Sequence, residues 1–238
     1  MTKRLPKWLA GLVSGIVLGA AALWWLRRQD KRWLQSHLWH PIYDRLAWLY
    51  DAVDWFTAST THRLRRRALR YLPPPGARLL EIGFGSGRLH ADLAARYATA
   101  GVDRAPGMAS RTQARLRSQN LSSALCVGDA IALPWADESF DAVLSTFAFS
   151  AIPDADAALD EMIRVLRPGG KIVIIDAGEA RDGNPVAAGL AWLWSLIGDY
   201  MRDEVPLLAA RDLDVRREDY GPWHSVHATV GVKPETEV

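Results

Sequence analysis

Three alternate glycines are the residues whose spacing first suggests chemistry. Gly83, Gly85 and Gly87 follow an apolar run at 78–82 that is typical of a buried strand, and they precede a helical stretch at 88–97. Glycine allows positive φ angles and lets the backbone come close to a ligand. A strand, a glycine-rich turn and a helix in this order predict the nucleotide-binding start of a βαβ unit.

A carboxylate at the end of the next strand extends this pattern. Asp103 follows the predicted strand 99–102 and stands about 20 residues beyond the first glycine, where an acidic side chain can accept hydrogen bonds from both ribose hydroxyls. The alternative interpretation is that Asp103 is an ordinary loop or cap residue. Ribose binding is the hypothesis that the spacing favours.

The elements that must position these residues alternate along the chain. Further strands are predicted at 124–127, 140–144, 171–175, 213–220 and 223–232, with a helix at 156–166 and a turn at 167–170. Alternating strands and helices indicate a mostly parallel sheet that binds ligands at the carboxyl ends of its strands.

Four segments of this region resemble a known family in their order and spacing. LLEIGFGSGRL, GVDRAPGM, GDAIALPWADESFDAV and LRPGGKIVIID are similar to successive motifs of the class I S-adenosylmethionine methyltransferases, in particular the group containing the ubiquinone/menaquinone and bacterial phosphatidylethanolamine methyltransferases. The resemblance extends over residues 41–233 and is strongest at 79–176. It implies an α/β, Rossmann-like domain at 73–233 with a mostly parallel seven-stranded sheet, helices on both faces and one antiparallel strand near the end. Residues 234–238 would form a short tail.

The resemblance also implies a set of residues that hold S-adenosylmethionine. Glu81 and the backbone of the glycine turn, including Phe84, would hold the methionine end, and Asp103 would hold the ribose. The implied neighbours of the adenine are Arg104, Met108, Asp129 and Ala130. Phe147 would border the methyl group and the acceptor. Tyr43 and Tyr50, on a helix that caps the cofactor in this group, are candidates for the acceptor site, with helix packing as the alternative.

An uncharged apolar segment precedes the domain. After a basic tail at 1–7, residues 8–26 carry no charge and have tryptophans at both ends, which predicts a transmembrane helix about 30 Å long. A cleaved signal peptide is the alternative. Gly11, Gly15 and Gly19 share one helix face, so a homodimer through this face is a hypothesis, although glycine is common in membrane helices generally.

The charge of the chain is unevenly distributed. The net charge is only +2, yet residues 1–72 carry 13 lysines and arginines against 4 acidic residues. The juxtamembrane segment 27–72 combines basic residues with tryptophans, which favours contact with anionic lipid headgroups, whereas a solvated helix face is the plainer interpretation. The body of the protein is expected in the cytoplasm, because S-adenosylmethionine is made and kept there. Nucleic acid is not an expected partner.

The acceptor remains open at this point. A membrane anchor favours a lipid or quinone-like acceptor, with a small soluble molecule or a non-catalytic assembly factor as alternatives. A nicotinamide dehydrogenase is a weaker rival, because Arg88 stands where the third glycine of its fingerprint belongs. Residues 185–200 could form core or a lipid-facing lid. Scattered histidines and the single Cys126 predict no metal site and no disulfide, and no candidate catalytic base stands out by its spacing.

Overall fold

A computed structural model describes residues 30, 33, 37, 41, 60–178, 183–196, 199–220 and 224–235. A seven-stranded sheet runs through these residues. Its strands are β1 (Arg78–Ile82), β2 (Ala98–Asp103), β3 (Ala124–Val127), β4 (Phe140–Thr146), β5 (Leu166–Ala177), β6 (Asp214–Tyr220) and β7 (Val226–Val232). The helices are α1 (Thr60–Arg65), α2 (Arg88–Ala94), α3 (Pro106–Ser118), α4 (Ala155–Val165), α5 (Pro185–Leu196) and α6 (Glu204–Ala209), and short 3-10 helices lie at Arg66–Arg70 and Phe149–Ala151.

The strand order across the sheet is β3-β2-β1-β4-β5-β7-β6. Strands β1 to β5 pair in parallel, and β7 is antiparallel to both of its neighbours, β5 and β6. The first strand, β1, therefore lies near the middle of the sheet, and the following strands run outward to β3 before the chain returns to β4 beside β1. This reversal at β1 and β4 leaves a crevice at their carboxyl ends, which is the usual ligand site of such sheets.

Both faces of the sheet are covered, as the continuous burial along its central strand β4 requires. Val143 of β4 and Ile174 of β5 pack in a core with α4 and α6, whereas Leu144 and Ile175 pack in a second core with α2 and the 3-10 helix after α1. All four side chains are fully buried. The α/β, Rossmann-like fold with a mostly parallel seven-stranded sheet is therefore confirmed.

The fifth strand is longer than the sequence predicts. The segment Arg167 to Gly170, expected as a turn, lies inside β5, and the pairing of β4 with β5 shifts register between Phe140 and Ala142. Gly169 adopts a φ of 71°, which only glycine takes up easily. The Pro168-Gly169-Gly170 sequence is therefore part of β5, next to the shift in its pairing with β4, and does not form a separate turn before the strand.

The basic 3-10 helix that follows α1 packs on the body of the protein. Its Arg66 forms an ion pair with Asp92 of α2 at 3.2 Å, and its Arg67 lies over the ring of Tyr220 at the end of β6. Arg63 and Arg70 are exposed. Part of the charge that suggested lipid contact is thus used inside the molecule.

No helix among the described residues is long and apolar enough to span a membrane. The predicted span at 8–26, with Gly11, Gly15 and Gly19, lies outside the described residues.

Candidate active site

The glycine turn after β1 adopts the left-handed backbone that its sequence predicts. The φ angles of Gly83, Gly85 and Gly87 are 69°, 55° and 75°. A side chain on Gly83 would collide with Ala148, and one on Gly87 would come within 2.6 Å of the Thr112 side chain. Beside Gly85, in contrast, nothing lies within 4 Å of where a Cβ would stand. The turn is therefore packed on two sides and open at Gly85, which fits close approach of a cofactor.

Asp103 at the end of β2 is held against this turn. Its Oδ2 accepts a hydrogen bond from Gly85 N at 2.8 Å, and its Oδ1 accepts one from Ala105 N at 2.9 Å. A carboxylate oxygen has two lone pairs, so one that accepts from a backbone amide can also accept from a hydroxyl. Asp103 fixes two loops of the site, and its binding of the ribose stays a prediction.

The residues predicted around the adenine lie at the ends of β2 and β3. Arg104 Nε is 3.5 Å from Asp129 Oδ2, so these two side chains form an ion pair beside the site. Met108 packs with Ala105 in a small buried cluster, and Ala130 is buried in the main core. The structure brings this predicted set to one edge of the sheet.

Phe147, directly after β4, has a strained backbone. Its φ is 51°, an angle that costs a residue other than glycine about 1–3 kcal/mol. Two contacts hold it in place: its N–H donates to Ile175 O at 2.7 Å, and the guanidinium of Arg65 lies 5.2 Å from the ring centre. Arg65 also donates to Thr146 O and Oγ1, at 2.6 and 2.9 Å. Helix α1 thereby fixes the aromatic wall predicted to face the acceptor.

Glu81, at the end of β1, provides the test of whether the site fits S-adenosylmethionine. The residue is 1% exposed, and its Oε1 has no hydrogen-bond partner among the described residues. A buried, unpaired carboxylate oxygen is costly unless a ligand donates to it. The ammonium of a methionine moiety is such a donor, so the residues present fit the cofactor.

The sequence does not predict the contacts that two residues make near the site. Arg65 belongs to the basic segment for which the sequence favours lipid contact, and His90 is one of several scattered histidines. No pattern in the sequence indicates the contacts of Arg65. For His90 the signal is its position among the buried residues of α2. The side chain of Phe84 packs against His90 in the interior, so only its backbone faces the turn. Tyr43 and Tyr50 lie outside the described residues.

A second buried polar cluster stands at the carboxyl end of β5. Asp176 accepts hydrogen bonds from Ser150 N and Oγ, at 2.8 and 2.9 Å. Glu204 accepts from His227 Nε2 at 2.7 Å and from Thr229 Oγ1 at 3.1 Å. Burial raises the pKa of Asp176 to about 6, and the nearby charge of Glu204 adds to this rise. The hydrogen bonds from the backbone of Ser150 and Ala177 act in the opposite direction and lower the pKa. This cluster ties the loop after Phe147 to the end of the sheet.

The raised pKa of Asp176 predicts a pH-dependent stability. Between about pH 4 and pH 6 the folded protein holds a proton that the unfolded chain has lost, so the free energy of unfolding falls as pH rises through this window. The fall is on the order of 2–3 kcal/mol. In Asp176→Asn we expect this slope to flatten, as measured by urea unfolding at several pH values.

The matched control is Asp154→Asn. Asp154 caps α4 through a hydrogen bond from Ala157 N, and asparagine caps helices equally well, so the wild-type slope should persist. An unchanged slope in Asp176→Asn would show that another group causes the pH dependence.

Comparisons with known proteins agree with this geometry. A family model described as a methyltransferase domain matches residues 80–174. The chain is 38% identical over 135 residues to malonyl-[acyl-carrier protein] O-methyltransferase from Methylococcus capsulatus, covering 56% of this chain and 47% of that protein. It is 35% identical over 137 residues to phosphatidylethanolamine N-methyltransferase from Cereibacter sphaeroides, covering 57% of this chain and 67% of that protein.

A solved structure shows the same fold. The chain superposes on phosphoethanolamine N-methyltransferase 2 from Haemonchus contortus, solved with phosphomonomethylethanolamine and S-adenosylhomocysteine, with a TM-score of 0.62 and 20% identity, covering 72% of this chain and 52% of that chain. The matched part of the chain spans half or less of the length of the first curated relatives, 47% of one and 37% of the next. Its sheet order, its glycine turn and its match to the phosphatidylethanolamine enzyme together show that it belongs to the class I S-adenosylmethionine-dependent methyltransferases.

Proposed function

We propose that this protein transfers a methyl group from S-adenosylmethionine to a lipid or other amphiphilic acceptor, such as a phospholipid amine or a quinone-like ring. The observation that carries the proposal is the 35% identity to phosphatidylethanolamine N-methyltransferase over 67% of that protein's length. Lipids and quinones reside in membranes. The uncharged segment at 8–26, as a membrane anchor, would hold the enzyme beside such acceptors.

The roles of the residues follow from their positions. When bound, S-adenosylmethionine supplies a methyl group already activated on a sulfonium sulfur, so the protein mainly has to position the reactants and exclude water. Glu81 and the glycine turn would hold the methionine end, and Asp103 the ribose. Phe147, fixed by Arg65, would form the wall between this end and the acceptor. A base is required only if the acceptor must lose a proton.

Features of the surface support contact with an apolar acceptor. Helix α5 contains no charged residue, and Val186 and Trp192 on it are 46% and 51% exposed. Exposed Arg63 and Arg70 would add attraction to anionic headgroups. The proposal further includes a single-pass anchor at 8–26, a catalytic domain on the cytoplasmic side, where the cofactor is made, and a homodimer through Gly11, Gly15 and Gly19.

The test is incubation of the full-length protein, in detergent or vesicles, with methyl-labelled S-adenosylmethionine and a total membrane-lipid extract. We expect label in the organic-solvent fraction, and the same reaction with Asp103→Ala provides the background. Label only in water-soluble products would refute the lipid acceptor while leaving the methyltransferase activity intact.

A further inference from the structure

A chain of hydrogen bonds runs from the buried Glu81 and His90 through Ser123 to β2. His90 Nδ1 lies 2.9 Å from Glu81 Oε2, and His90 Nε2 lies 2.7 Å from Ser123 Oγ. The Ser123 hydroxyl donates to Thr99 O at 2.8 Å. His90 is 0% exposed and Glu81 is 1% exposed, so water does not compete for the bond between them.

The direction of these bonds determines how His90 acts. Because the Ser123 hydroxyl hydrogen is used on Thr99 O, Ser123 Oγ accepts from His90 Nε2–H. The other ring nitrogen, His90 Nδ1, shares a hydrogen with Glu81 Oε2. His90 is thus hydrogen-bonded through both ring nitrogens, to Glu81 on one side and to Ser123 on the other.

Phe84 and Gly101 pack around this ring. Phe84 stands 5.6 Å from it, centre to centre. A Cβ on Gly101 of β2 would come within 2.6 Å of the Phe84 ring and 2.9 Å of the His90 ring. Only glycine at position 101 leaves room for the two rings. This packing supports the His90 ring, which in turn contacts the carboxylate of Glu81.

We propose that His90 is a positioning residue, which with Ser123 holds the Glu81 carboxylate so that its free Oε1 receives the ammonium group of the cofactor's methionine end. One carboxylate oxygen, Oε2, is engaged by His90, and the other is buried without a partner among the described residues. A carboxylate pinned through one oxygen cannot rotate away from its ligand, and this preorganisation strengthens binding. The inference rests on S-adenosylmethionine being the cofactor.

The experiment compares two ligands that differ only at the end in question. S-adenosylhomocysteine carries the amino-acid group, and 5′-methylthioadenosine lacks it. For the full-length protein we expect His90→Ala to weaken S-adenosylhomocysteine binding about tenfold or more by calorimetry, the usual effect of losing a charge-assisted hydrogen bond. Binding of 5′-methylthioadenosine should stay within about twofold of wild type, because its contacts are elsewhere.

Ser123→Ala tests the same hydrogen-bond chain in case the buried His90→Ala variant does not fold. Ser123 is half-buried in the loop before β3, and its loss should lower affinity for S-adenosylhomocysteine alone, by about threefold to tenfold. Ser122→Ala, on the exposed neighbouring serine, should leave both affinities unchanged. In a Glu81→Gln background, His90→Ala should no longer change the ratio of the two affinities.

Equal weakening of both ligands by Ser123→Ala and His90→Ala, or no weakening of either, would overturn the proposal. If the wild-type protein binds neither ligand, the cofactor assignment fails, and the positioning role fails with it. Wild-type binding of both ligands with a selective loss in the two variants would support the role and leave the identity of the methyl acceptor as a separate matter.

Discussion

Asp103→Ala should lower the affinity for S-adenosylhomocysteine by about a hundredfold or more, since hydrogen bonds from two ribose hydroxyls to a charged acceptor are worth about 1.5–3 kcal/mol each. The substitution also removes the bonds from Gly85 N and Ala105 N, so part of the loss will come from the loosened loops. We expect the fold to persist with a melting temperature lower by several degrees. Calorimetric titration and thermal unfolding measure the two effects separately.

Two further variants separate ribose binding from loop anchoring. Asp103→Asn keeps one acceptor oxygen and the shape of the side chain, so it should lose less affinity than Asp103→Ala. Asp137→Ala, at a carboxylate that is 75% exposed and paired with Arg164, should bind like wild type. Undiminished binding by Asp103→Ala would show that the ribose assignment is wrong.

Gly85→Ala should abolish most cofactor binding while leaving the protein folded. The position has a φ of 55° with open space beside it, so an added methyl group meets no protein atom and costs only the strain of a left-handed residue, about 1–2 kcal/mol. The same methyl group would occupy the space into which the cofactor must come. We expect affinity for S-adenosylhomocysteine to fall about thirtyfold or more, the equivalent of about 2 kcal/mol.

Two other glycines provide matched comparisons. Gly76→Ala, at a φ of 95° with nothing within 4 Å and before β1, should show at least as much backbone strain and unchanged cofactor binding. Gly83→Ala should mainly unfold the protein, because its new methyl group overlaps Ala148 in addition to the strain at 69°. If Gly85→Ala bound the cofactor normally, the open side of the turn would not be the binding side.

The elements of the domain were predictable because their patterns are local. The alternation of apolar residues in β7 and the glycine turn after β1 both reflect constraints within one segment, and the structure has them where the sequence places them. Two helices were missed although each has a start signal: Pro106 opens α3, and the Asp203 side chain caps α6 through Val205 N. Each of these signals is a single residue, which by itself does not predict a helix.

The parts of the site that sequence reasoning could not supply depend on contacts between distant segments. Arg65 and Thr146 are 81 residues apart, and no local pattern links a basic helix to the end of β4. Likewise, the role of His90 requires knowing that Gly101 leaves room for its ring and that Ser123 lies beyond it. Asp103 was found from spacing, but its bonds to two loop amides appear only in the folded structure.

The central claim is that the crevice at the ends of β1, β2 and β4 binds S-adenosylmethionine. Calorimetric titration of the full-length protein with S-adenosylmethionine and, in parallel, with NAD tests it most directly. The account predicts saturable one-to-one binding of S-adenosylmethionine and no detectable binding of NAD. Binding of NAD alone would indicate a dehydrogenase, and binding of neither would indicate a methyltransferase-like protein without chemistry; either result would contradict the account.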